Sequence, residues 1–266
     1  MLTLCLPYAT IIFNNNYTKL NLLAGGEKGI IDMRLTDSHW LLNTPIAHRG
    51  LWDENTTENS ILAFQKAIEN GYPIEIDVHK SLDGQLFVFH DNNLLRLTGV
   101  DNSICNMTEK EVKSLRLNKS EQEIPTLKKV LECINGKVPI LLEIKPQKDN
   151  TIVDRVVEDL KGYKGDIAIQ SFNPLYIARL KKIASEYIRG ILATEVKQID
   201  WLRHFLLKHM FLNFIAKPDF ISYSFTGLPI KRKQPVICWT ITNQEDYDKI
   251  KGLARNIIFE NFIPKK

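Results

Sequence analysis

The chain has 266 residues, of which 44% are hydrophobic and 25% are charged. That length suits one large α/β domain or two small domains, and the composition is that of a folded globular protein rather than a disordered one. The net charge is +4, from 35 basic and 31 acidic residues. This excess is small and scattered along the chain, so the composition argues against nucleic acid as a partner.

The cysteines and the hydropathy of the chain bear on its cellular compartment and on membrane insertion. The four cysteines, Cys5, Cys105, Cys133 and Cys238, form no Cys-x-x-Cys pair and no zinc-finger spacing. We interpret them as reduced thiols and expect a cytoplasmic protein. No run approaches the roughly 18 apolar residues that a membrane span needs.

Residues 1–32 differ in character from the rest of the chain. Leu2–Phe13 is apolar, but no basic residue precedes it, which argues against a signal peptide. Codons for Gly25-Gly26-Glu27 can contain a purine-rich ribosome-binding sequence shortly before Met33. We therefore expect residues 1–32 to be a translated leader without function. An export or membrane-association segment is one alternative, and Leu2–Phe13 in the place of a last barrel helix is another.

From Pro45 onward, strand-like and helix-like segments alternate. Ile46–His48 predicts the first strand, and Ile74–Val78 predicts the second. An apolar i, i+3, i+7 pattern between them predicts a helix, with Thr57 as its N-cap and Gly71 as its end.

The segment after the second strand interrupts this alternation. Asp83-Gly84 predicts a tight turn, and we expect Leu86–His90 to return as an antiparallel hairpin arm rather than as a barrel strand. The segment from about residue 79 to 124 is therefore predicted to be an insertion. Within it, Thr108 and Glu111 form a capping box before a short helix.

Regular alternation resumes with a helix from Pro125 to Asn135-Gly136. The remaining predicted strands are Ile140–Lys145, Ile167–Phe172, Gly190–Ala193, Phe220–Phe225, Val236–Ile241 and Asn256–Glu260. Eight such strands close a parallel (β/α)8 barrel, or TIM barrel. The sixth helix is expected to be short or absent, because only residues 226–234 separate its strands, and the eighth is expected to be nearly absent.

The predicted fifth helix, about Gln198–Ala216, is unusually apolar. We interpret it as a helix packed against the barrel, with a lipid-facing or dimer surface as the alternative. The basic run Lys231-Arg232-Lys233 is a second feature that is compatible with contact with lipids. A membrane contact is thus an alternative rather than the expectation, and the sequence does not indicate an oligomeric state.

Carboxylates follow two of the predicted strands. Glu75 and Asp77 lie two residues apart, so both side chains point to one face, and Glu143 should face the same mouth of the barrel. Adjacent carboxylates repel each other unless a cation lies between them. Three oxygen donors suit Mg²⁺ or Ca²⁺ better than zinc. A set of surface salt bridges is the alternative interpretation.

Two histidines are candidates for acid–base chemistry. His48 ends the first strand, and His90 ends the hairpin arm. Imidazole titrates near neutral pH, so one ring can accept a proton while the other donates one. A structural role is the alternative for each. His79 is expected to be a polar surface residue near the hairpin.

Cationic and aromatic side chains complete the candidate site. Arg49 can bind a phosphate through its planar fork and Lys145 as a point charge, and either can also pair with the carboxylates. Glu58 suits the start of a helix and could orient Arg49 or the metal ligands. Trp239 and Phe172 end two further strands, and they are expected either to line the pocket or to pack in the core.

These motifs, in this order, resemble the glycerophosphodiester phosphodiesterase family. The matching pieces are His48-Arg49-Gly50, Thr57-Glu58-Asn59-Ser60, Glu75-Ile76-Asp77, Asp83-Gly84, His90-Asp91 and Glu143-Ile144-Lys145. The resemblance covers residues 45–262. Two departures stand out. Thr57 and Ser60 replace the Pro and Thr of the family's Pro-Glu-Asn-Thr motif, and Phe259-Glu260-Asn261 stands where the family usually has Thr-Asp.

The resemblance implies a metal-dependent enzyme that hydrolyses glycerophosphodiesters to sn-glycerol 3-phosphate and an alcohol. It also implies that Glu75, Asp77 and Glu143 hold the divalent cation and that His48 and His90 transfer protons. Related barrels cleave lysophospholipids or sphingomyelin by the same chemistry, which is one alternative. A non-catalytic barrel that binds a phosphodiester is an alternative of a different class.

Overall fold

A computed structural model of the chain describes residues 35–117, 120–148, 150–195 and 213–265, together with the backbone of residues 9–14, 17–22 and 29–33. The chain divides into two compact units, Met1–His39 and Trp40–Lys266.

The first unit contains a small antiparallel sheet. Its strands β1 (Ala9–Asn14), β2 (Tyr17–Leu22) and β3 (Gly29–Met33) pair in that order. These strands were not predicted from the sequence. Residues 9–13 are extended, so the alternative that Leu2–Phe13 takes the place of the last barrel helix does not hold for this part of the stretch. The interpretation of residues 1–32 as a leader stays a prediction.

The second unit is a closed barrel of eight parallel strands surrounded by helices, as predicted. The strands of its sheet are β4 (Ile46–His48), β5 (Ile74–Lys80), β6 (Leu86–Val88), β7 (Ile140–Ile144), β8 (Ile167–Ser171), β9 (Ile188–Ala193), β10 (Phe220–Ser224), β11 (Val236–Ile241) and β12 (Asn256–Phe259). Neighbours follow the order β4-β12-β11-β10-β9-β8-β7-β5, and β4 pairs with β5 to close the barrel. The barrel strands are buried along most of their length, which suits the apolar runs of a parallel sheet.

Helices alternate with the barrel strands. Those described in this unit are α1 (Trp40–Asn43), α2 (Ile61–Glu69), α3 (Leu95–Thr98), α4 (Glu109–Lys113), α5 (Leu127–Ile134), α6 (Ile152–Leu160), α7 (Pro174–Ile183), α8 (Asn213–Ala216) and α9 (Gln244–Ile250). Apolar stripes of α2, α5, α6 and α7 pack with the strands into one continuous core. The predicted fifth helix lies mostly outside the described residues.

The sixth and eighth helices of the outer layer were predicted to be short or absent, and this is confirmed for the described residues. Between β10 and β11 the chain forms only the 3-10 turn Phe225–Gly227, and residues 260–265 after β12 form no helix. The connection between β10 and β11 is therefore too short for a full helix.

The insertion forms as predicted. Strand β6 pairs antiparallel with the end of β5. The capping box between Thr108 and Glu111 begins α4. The insertion has its own apolar core, separate from the barrel core, and its buried members are Phe87, Phe89, Leu94, Leu97, Ile104, Met107, Val112, Leu117 and Ile124. It carries the hairpin arm to the carboxyl ends of the barrel strands.

The start of α2 differs from the prediction. Ser60, and not Thr57, is the N-cap, since its Oγ accepts a hydrogen bond from the backbone N of Ala63 at 3.2 Å. The residues before it are held in a turn, where the backbone N of Asn59 donates to the carbonyl O of Arg49 at 2.9 Å and Asn59 has a φ of 54°. Helical geometry therefore begins only after Ser60.

Gly50 follows the first barrel strand in a turn that favours glycine. Its φ is +84°, and a Cβ built there would lie 2.8 Å from the carbonyl carbon and oxygen of Ala63. We expect Gly50→Ala to lower the free energy of unfolding by about 2–5 kcal/mol, the sum of left-handed backbone strain and an overpacked contact.

Gly71→Ala is the matched control for this prediction. Gly71 also has a positive φ, +69°, but no atom of the described residues lies within 4 Å of a built Cβ. Its substitution should cost only the backbone part, about 1–2 kcal/mol. Urea unfolding of both variants measures the difference, and equal losses would mean that the contact with Ala63 contributes nothing.

Candidate active site

A cleft opens at the carboxyl ends of the barrel strands, where β/α barrels hold their active sites. It encloses about 380 Å³, counting the part that is open to solvent. Its lining residues are His48, Arg49, Glu75, His90, Glu143, Lys145, Gln170, Phe172, Leu192, Trp239, Thr240 and Ile258. The cleft thus brings together all predicted site residues except Asp77 and Glu58, which contact residues of the lining.

Three buried carboxylates form the floor of the site. Glu75 and Asp77 lie on β5, and Glu143 lies on β7 as the register partner of Asp77. One carboxylate oxygen of each lies within 4.8 Å of the others, and the residues are only 2%, 1% and 5% exposed. The amide of Asn59, which was not predicted as a site residue, donates to Asp77 Oδ2 at 2.9 Å.

Two cations hold these carboxylates together. Lys145 Nζ lies 3.1 Å from Asp77 Oδ1 and 3.0 Å from Glu143 Oε1. Arg49 Nε lies 3.5 Å from Asp77 Oδ2, and its backbone N donates to Glu75 Oε2 at 3.2 Å. Three carboxylates face two cations, so the fully ionised group retains an excess of negative charge.

Burial and mutual repulsion favour protons on part of this group. Burial, with the charges of Asp77 and Glu143, raises the pKa of Glu75 well above its ordinary value. Burial raises the pKa of Glu143 to about 7, against the attraction of Lys145. For Asp77, burial also acts upward, but the charges of Lys145 and His90 hold its pKa well below the ordinary range.

The donor set of the floor fits a divalent metal ion. Glu75, Asp77 and Glu143 offer only carboxylate oxygens, which hard cations such as Mg²⁺ or Ca²⁺ prefer. A second group of close potential ligands, Glu58, His90 and Asp91, is also present. In that group both carboxylates already accept hydrogen bonds from an arginine, so their charge is compensated.

His48 is held by a carboxylate from the far end of the chain. Its Nδ1 lies 2.5 Å from Glu260 Oε2, and its Nε2 lies 4.0 Å from Glu75 Oε2. A carboxylate at one ring nitrogen sets the tautomer and leaves the other nitrogen for the cleft. Strand β12 pairs with β4 in the register Phe259↔Ala47, which brings the next residues side by side. Glu260 was not predicted as a site residue; in the sequence it was only a departure from the family motif. Its position directly after the last barrel strand could have indicated that it lies at the mouth of the barrel.

His90 is held by the residue that follows it. Its Nδ1 lies 2.7 Å from Asp91 Oδ1. Burial lowers the pKa of His90 below its ordinary value, and the negative charge of Asp77 offsets this only in part. Asp91 was not among the predicted site residues, although the His-Asp motif contains it.

His79 is buried, and its prediction as a surface residue is wrong. It is 5% exposed, and its Nε2 lies 3.3 Å from the carbonyl O of His90. His79 alternates to the same face of β5 as Asp77, and strand β5 extends far enough for the hairpin arm to cover it. Burial lowers the pKa of His79 to about 4, so the ring supports the backbone of His90 as a neutral group.

Glu58 joins the barrel to the insertion at the rim of the cleft. Its Oε1 accepts a hydrogen bond from Arg49 Nη1 at 2.6 Å, as an orienting role toward Arg49 requires. Arg96, which was not predicted, donates to both oxygens of Glu58. Burial acts to raise the pKa of Glu58, but the hydrogen bonds from Arg96 and the charge of Arg49 hold it below its ordinary value.

Two aromatic rings form an apolar wall of the cleft. Phe172 and Trp239 meet edge to face, with ring centroids 5.8 Å apart and an interplanar angle of 89°. Both line the cleft and are half-buried rather than enclosed in the core. This placement favours pocket lining over core packing for both residues.

The barrel sequence matches one known protein family. The family described as the glycerophosphoryl diester phosphodiesterase family matches residues 48–263. The match therefore runs from His48, at the end of the first barrel strand, to beyond the end of the last strand.

Individual relatives show the same likeness. The chain is 32% identical over 160 residues to a glycerophosphodiester phosphodiesterase of Caldanaerobacter subterraneus subsp. tengcongensis, and the alignment covers 55% of the chain and 65% of that relative. It is 33% identical over 136 residues to lysophospholipase D GDPD1 of Rattus norvegicus, covering 46% of the chain and 42% of the relative. The chain thus spans less than two thirds of either relative.

A solved structure shares the fold. It is a phosphodiesterase of Oleispira antarctica in complex with the product sn-glycerol-3-phosphate. The TM-score is 0.71 at 23% identity, over 83% of this chain and 93% of the other.

Proposed function

Because this chain belongs to the glycerophosphoryl diester phosphodiesterase family, we propose that it hydrolyses glycerophosphodiesters to sn-glycerol 3-phosphate and an alcohol. One observation carries the proposal. Two imidazoles, each paired with a carboxylate, converge in one cleft with three buried carboxylates and two cations. A site that only binds a phosphodiester does not need two groups placed for proton transfer.

A divalent cation, Mg²⁺ or Ca²⁺, is the proposed cofactor. Bound to Glu75, Asp77 and Glu143, it would supply positive charge to the phosphate oxygens. Lys145, which contacts two of these carboxylates, would keep their orientation while the cation compensates the remaining negative charge.

Cation binding should tighten as the pH rises. The cation binds ionised carboxylates, whereas burial raises the pKa of Glu75 well above its ordinary value and that of Glu143 to about 7. Protons must therefore leave on binding, so the Kd for Mg²⁺ should fall between about pH 5 and pH 8. Calorimetry in two buffers of different ionisation enthalpy measures the released protons, and a heat independent of the buffer would contradict this expectation.

Arg49 and Lys145 are the proposed phosphate ligands. Both line the cleft beside the carboxylates, and the guanidinium offers a planar fork that matches two phosphate oxygens. Their charges would stabilise the negative charge that increases on the phosphate oxygens during bond cleavage. Phe172 and Trp239 would place the glycerol or the alcohol group against an apolar wall.

His48 and His90 are the proposed proton-transfer residues. One would deprotonate the attacking hydroxyl, and the other would protonate the leaving alkoxide oxygen. A carboxylate holds Nδ1 of each ring, so Nε2 of each is the atom available for the reaction. Water and a hydroxyl of the substrate's own glycerol are both suitable attacking groups.

Replacement of Glu260 by glutamine should slow turnover. The variant keeps a hydrogen-bond acceptor near His48 Nδ1 but replaces the carboxylate by an amide that can face the ring with either its oxygen or its NH2 group, so the ring is held less firmly. We therefore expect kcat to fall by about 10–100-fold, as for other groups that orient a functional histidine. Glu245→Gln is the control, because that side chain is 79% exposed and pairs only with Lys249 among the described contacts. Normal kcat in Glu260→Gln would show that His48 needs no partner carboxylate.

The second candidate function is that of a lysophospholipase D. The identity of 33% to the rat lysophospholipase D favours it over other lipid-directed activities.

Substrate comparison tests both functions. We expect release of choline and sn-glycerol 3-phosphate from glycerophosphocholine, with a higher kcat/KM than for lysophosphatidylcholine. A higher value for the lysophospholipid would favour the second function. Tight binding without turnover of either compound would identify a non-catalytic barrel.

The cellular location and the partner of the protein stay predictions. Within the part of the chain that the structure describes, no helix has the length and apolar character that a membrane crossing requires. The cytoplasmic location is predicted from the cysteines alone, and the expected partner is a small-molecule phosphodiester rather than nucleic acid.

A further inference from the structure

Arg96 lies on α3 of the insertion, outside the barrel, yet it makes ion pairs with Glu58, which precedes helix α2 of the barrel, and with Asp91 of the insertion. Its Nη1 and Nη2 donate to the two oxygens of Glu58 at 2.9 Å and 2.7 Å. Its Nε donates to Asp91 Oδ2 at 2.6 Å, and Nη2 also donates to Asp91 Oδ1 at 3.1 Å. The planar guanidinium therefore meets two carboxylates at once, which the single ammonium of lysine does less well.

Each of these carboxylates in turn holds a residue of the cleft. Glu58 Oε1 accepts from Arg49 Nη1 at 2.6 Å, and Asp91 Oδ1 lies 2.7 Å from His90 Nδ1. The five side chains form one series of contacts from the first barrel strand to the hairpin arm. Arg96 joins the pair Arg49–Glu58 of the barrel to the pair Asp91–His90 of the insertion.

The two carboxylates depend on Arg96 to different degrees. Glu58 is 5% exposed and would keep its bond to Arg49 if Arg96 were removed. Asp91 is more exposed, and among the described residues it hydrogen-bonds only with His90 and Arg96. Loss of Arg96 would therefore free Asp91, and with it the ring of His90, while Arg49 stays in place.

We propose that Arg96 is a positioning residue for His90. Anchored on the buried Glu58, it holds Asp91 so that the carboxylate fixes the imidazole with Nε2 toward the cleft. The consequence for turnover rests on the proposed function, whereas the effect on the ring itself does not.

The matched control is Arg179, an arginine with a similar exposure whose ion pair lies away from the cleft. Arg179 has a side chain that is 44% exposed, close to the 49% of Arg96, and it donates to Asp154 at 2.6 Å. Its ion pair joins α7 to α6, and neither residue is among those that line the cleft. Exposed pairs of this kind contribute little to stability, so Arg179→Gln should leave kcat and KM unchanged.

The kinetic arm uses Arg96→Gln alone and in two backgrounds. The single variant should lose about 10–100-fold in kcat, the range for groups that orient a functional side chain, with KM within about threefold. Combined with His90→Ala, it should cost no more than about twofold further, because residues that act through one another are not additive. Combined with His48→Ala, Arg96→Gln should reduce kcat by the same factor as it does in the unaltered protein. Arg96→Lys, which retains the charge, should recover part of kcat.

A substrate-free arm observes the ring directly. Nitrogen-15 NMR of the imidazole should show one tautomer for His90 in the unaltered protein, with the proton on Nδ1, and a mixture of tautomers in Arg96→Gln. Asp91→Asn is the second variant should Arg96→Gln not fold, and it should give the same mixture.

The outcomes separate this proposal from the proposed function. Full additivity of Arg96→Gln with His90→Ala, or an unchanged tautomer of His90 in a folded Arg96→Gln, would overturn the positioning role. Absence of turnover in the unaltered protein would instead count against the proposed function, and the NMR arm would still decide the role of Arg96. A mixed tautomer together with non-additive kinetics would support both.

Discussion

Removal of divalent cations with EDTA is expected to abolish turnover, and addition of Mg²⁺ or Ca²⁺ is expected to restore it. Glu75, Asp77 and Glu143 are buried together, with one oxygen of each within 4.8 Å of the others. Without a cation, burial and mutual repulsion favour protons on this group, and the cleft loses positive charge at the place where the phosphate would bind. Initial rates with and without each cation, together with elemental analysis of the purified protein, measure the effect.

Glu143→Gln should reproduce the loss in the presence of cation. It removes one of the three ionised ligands while preserving size, so affinity for the cation should decrease and activity should fall with it. Glu158→Gln is the control, since that side chain is 58% exposed on α6 and pairs with Lys161. Full activity in excess chelator, with no metal detected by elemental analysis, would mean that these carboxylates have a purely structural role.

Replacement of either cleft histidine by alanine should reduce kcat by about 10²–10⁴-fold, the range for one positioned acid or base. His48 and His90 both line the cleft, and each is paired through Nδ1 with a carboxylate. Their side chains are 13% and 33% exposed, so neither fills the core, and thermal melts should be nearly unchanged. Near-normal kcat in one variant would remove that residue from the mechanism.

Added imidazole offers a second measurement on the same variants. A small base can occupy the space that a deleted ring leaves, and His90 is the more exposed of the two. We therefore expect imidazole to restore more of the lost activity in His90→Ala than in His48→Ala. Equal insensitivity of both variants to imidazole would argue that the loss comes from disturbed packing rather than from a missing proton-transfer group.

The barrel and most of the site follow from local patterns in the sequence. Apolar runs of strand length alternate with helical stripes, and each such pattern depends on residues close together in the chain. The short turn at Asp83-Gly84 likewise indicates that Leu86–His90 returns antiparallel. Because the carboxyl ends of barrel strands meet at one mouth, polar residues that follow several strands predict a common site without any knowledge of distances.

Which of these residues support one another depends on contacts that form only in the folded barrel. The pairing of Glu260 with His48 depends on the register between the last and first strands, which exists only once the barrel has closed. The contacts of Arg96 and the burial of His79 depend on how the insertion lies over the strand ends. Such contacts join residues that no short-range pattern relates. Local sequence patterns therefore predict the barrel and the chemical groups at its mouth, whereas the partners that orient these groups follow from closure of the barrel and from the placement of the insertion.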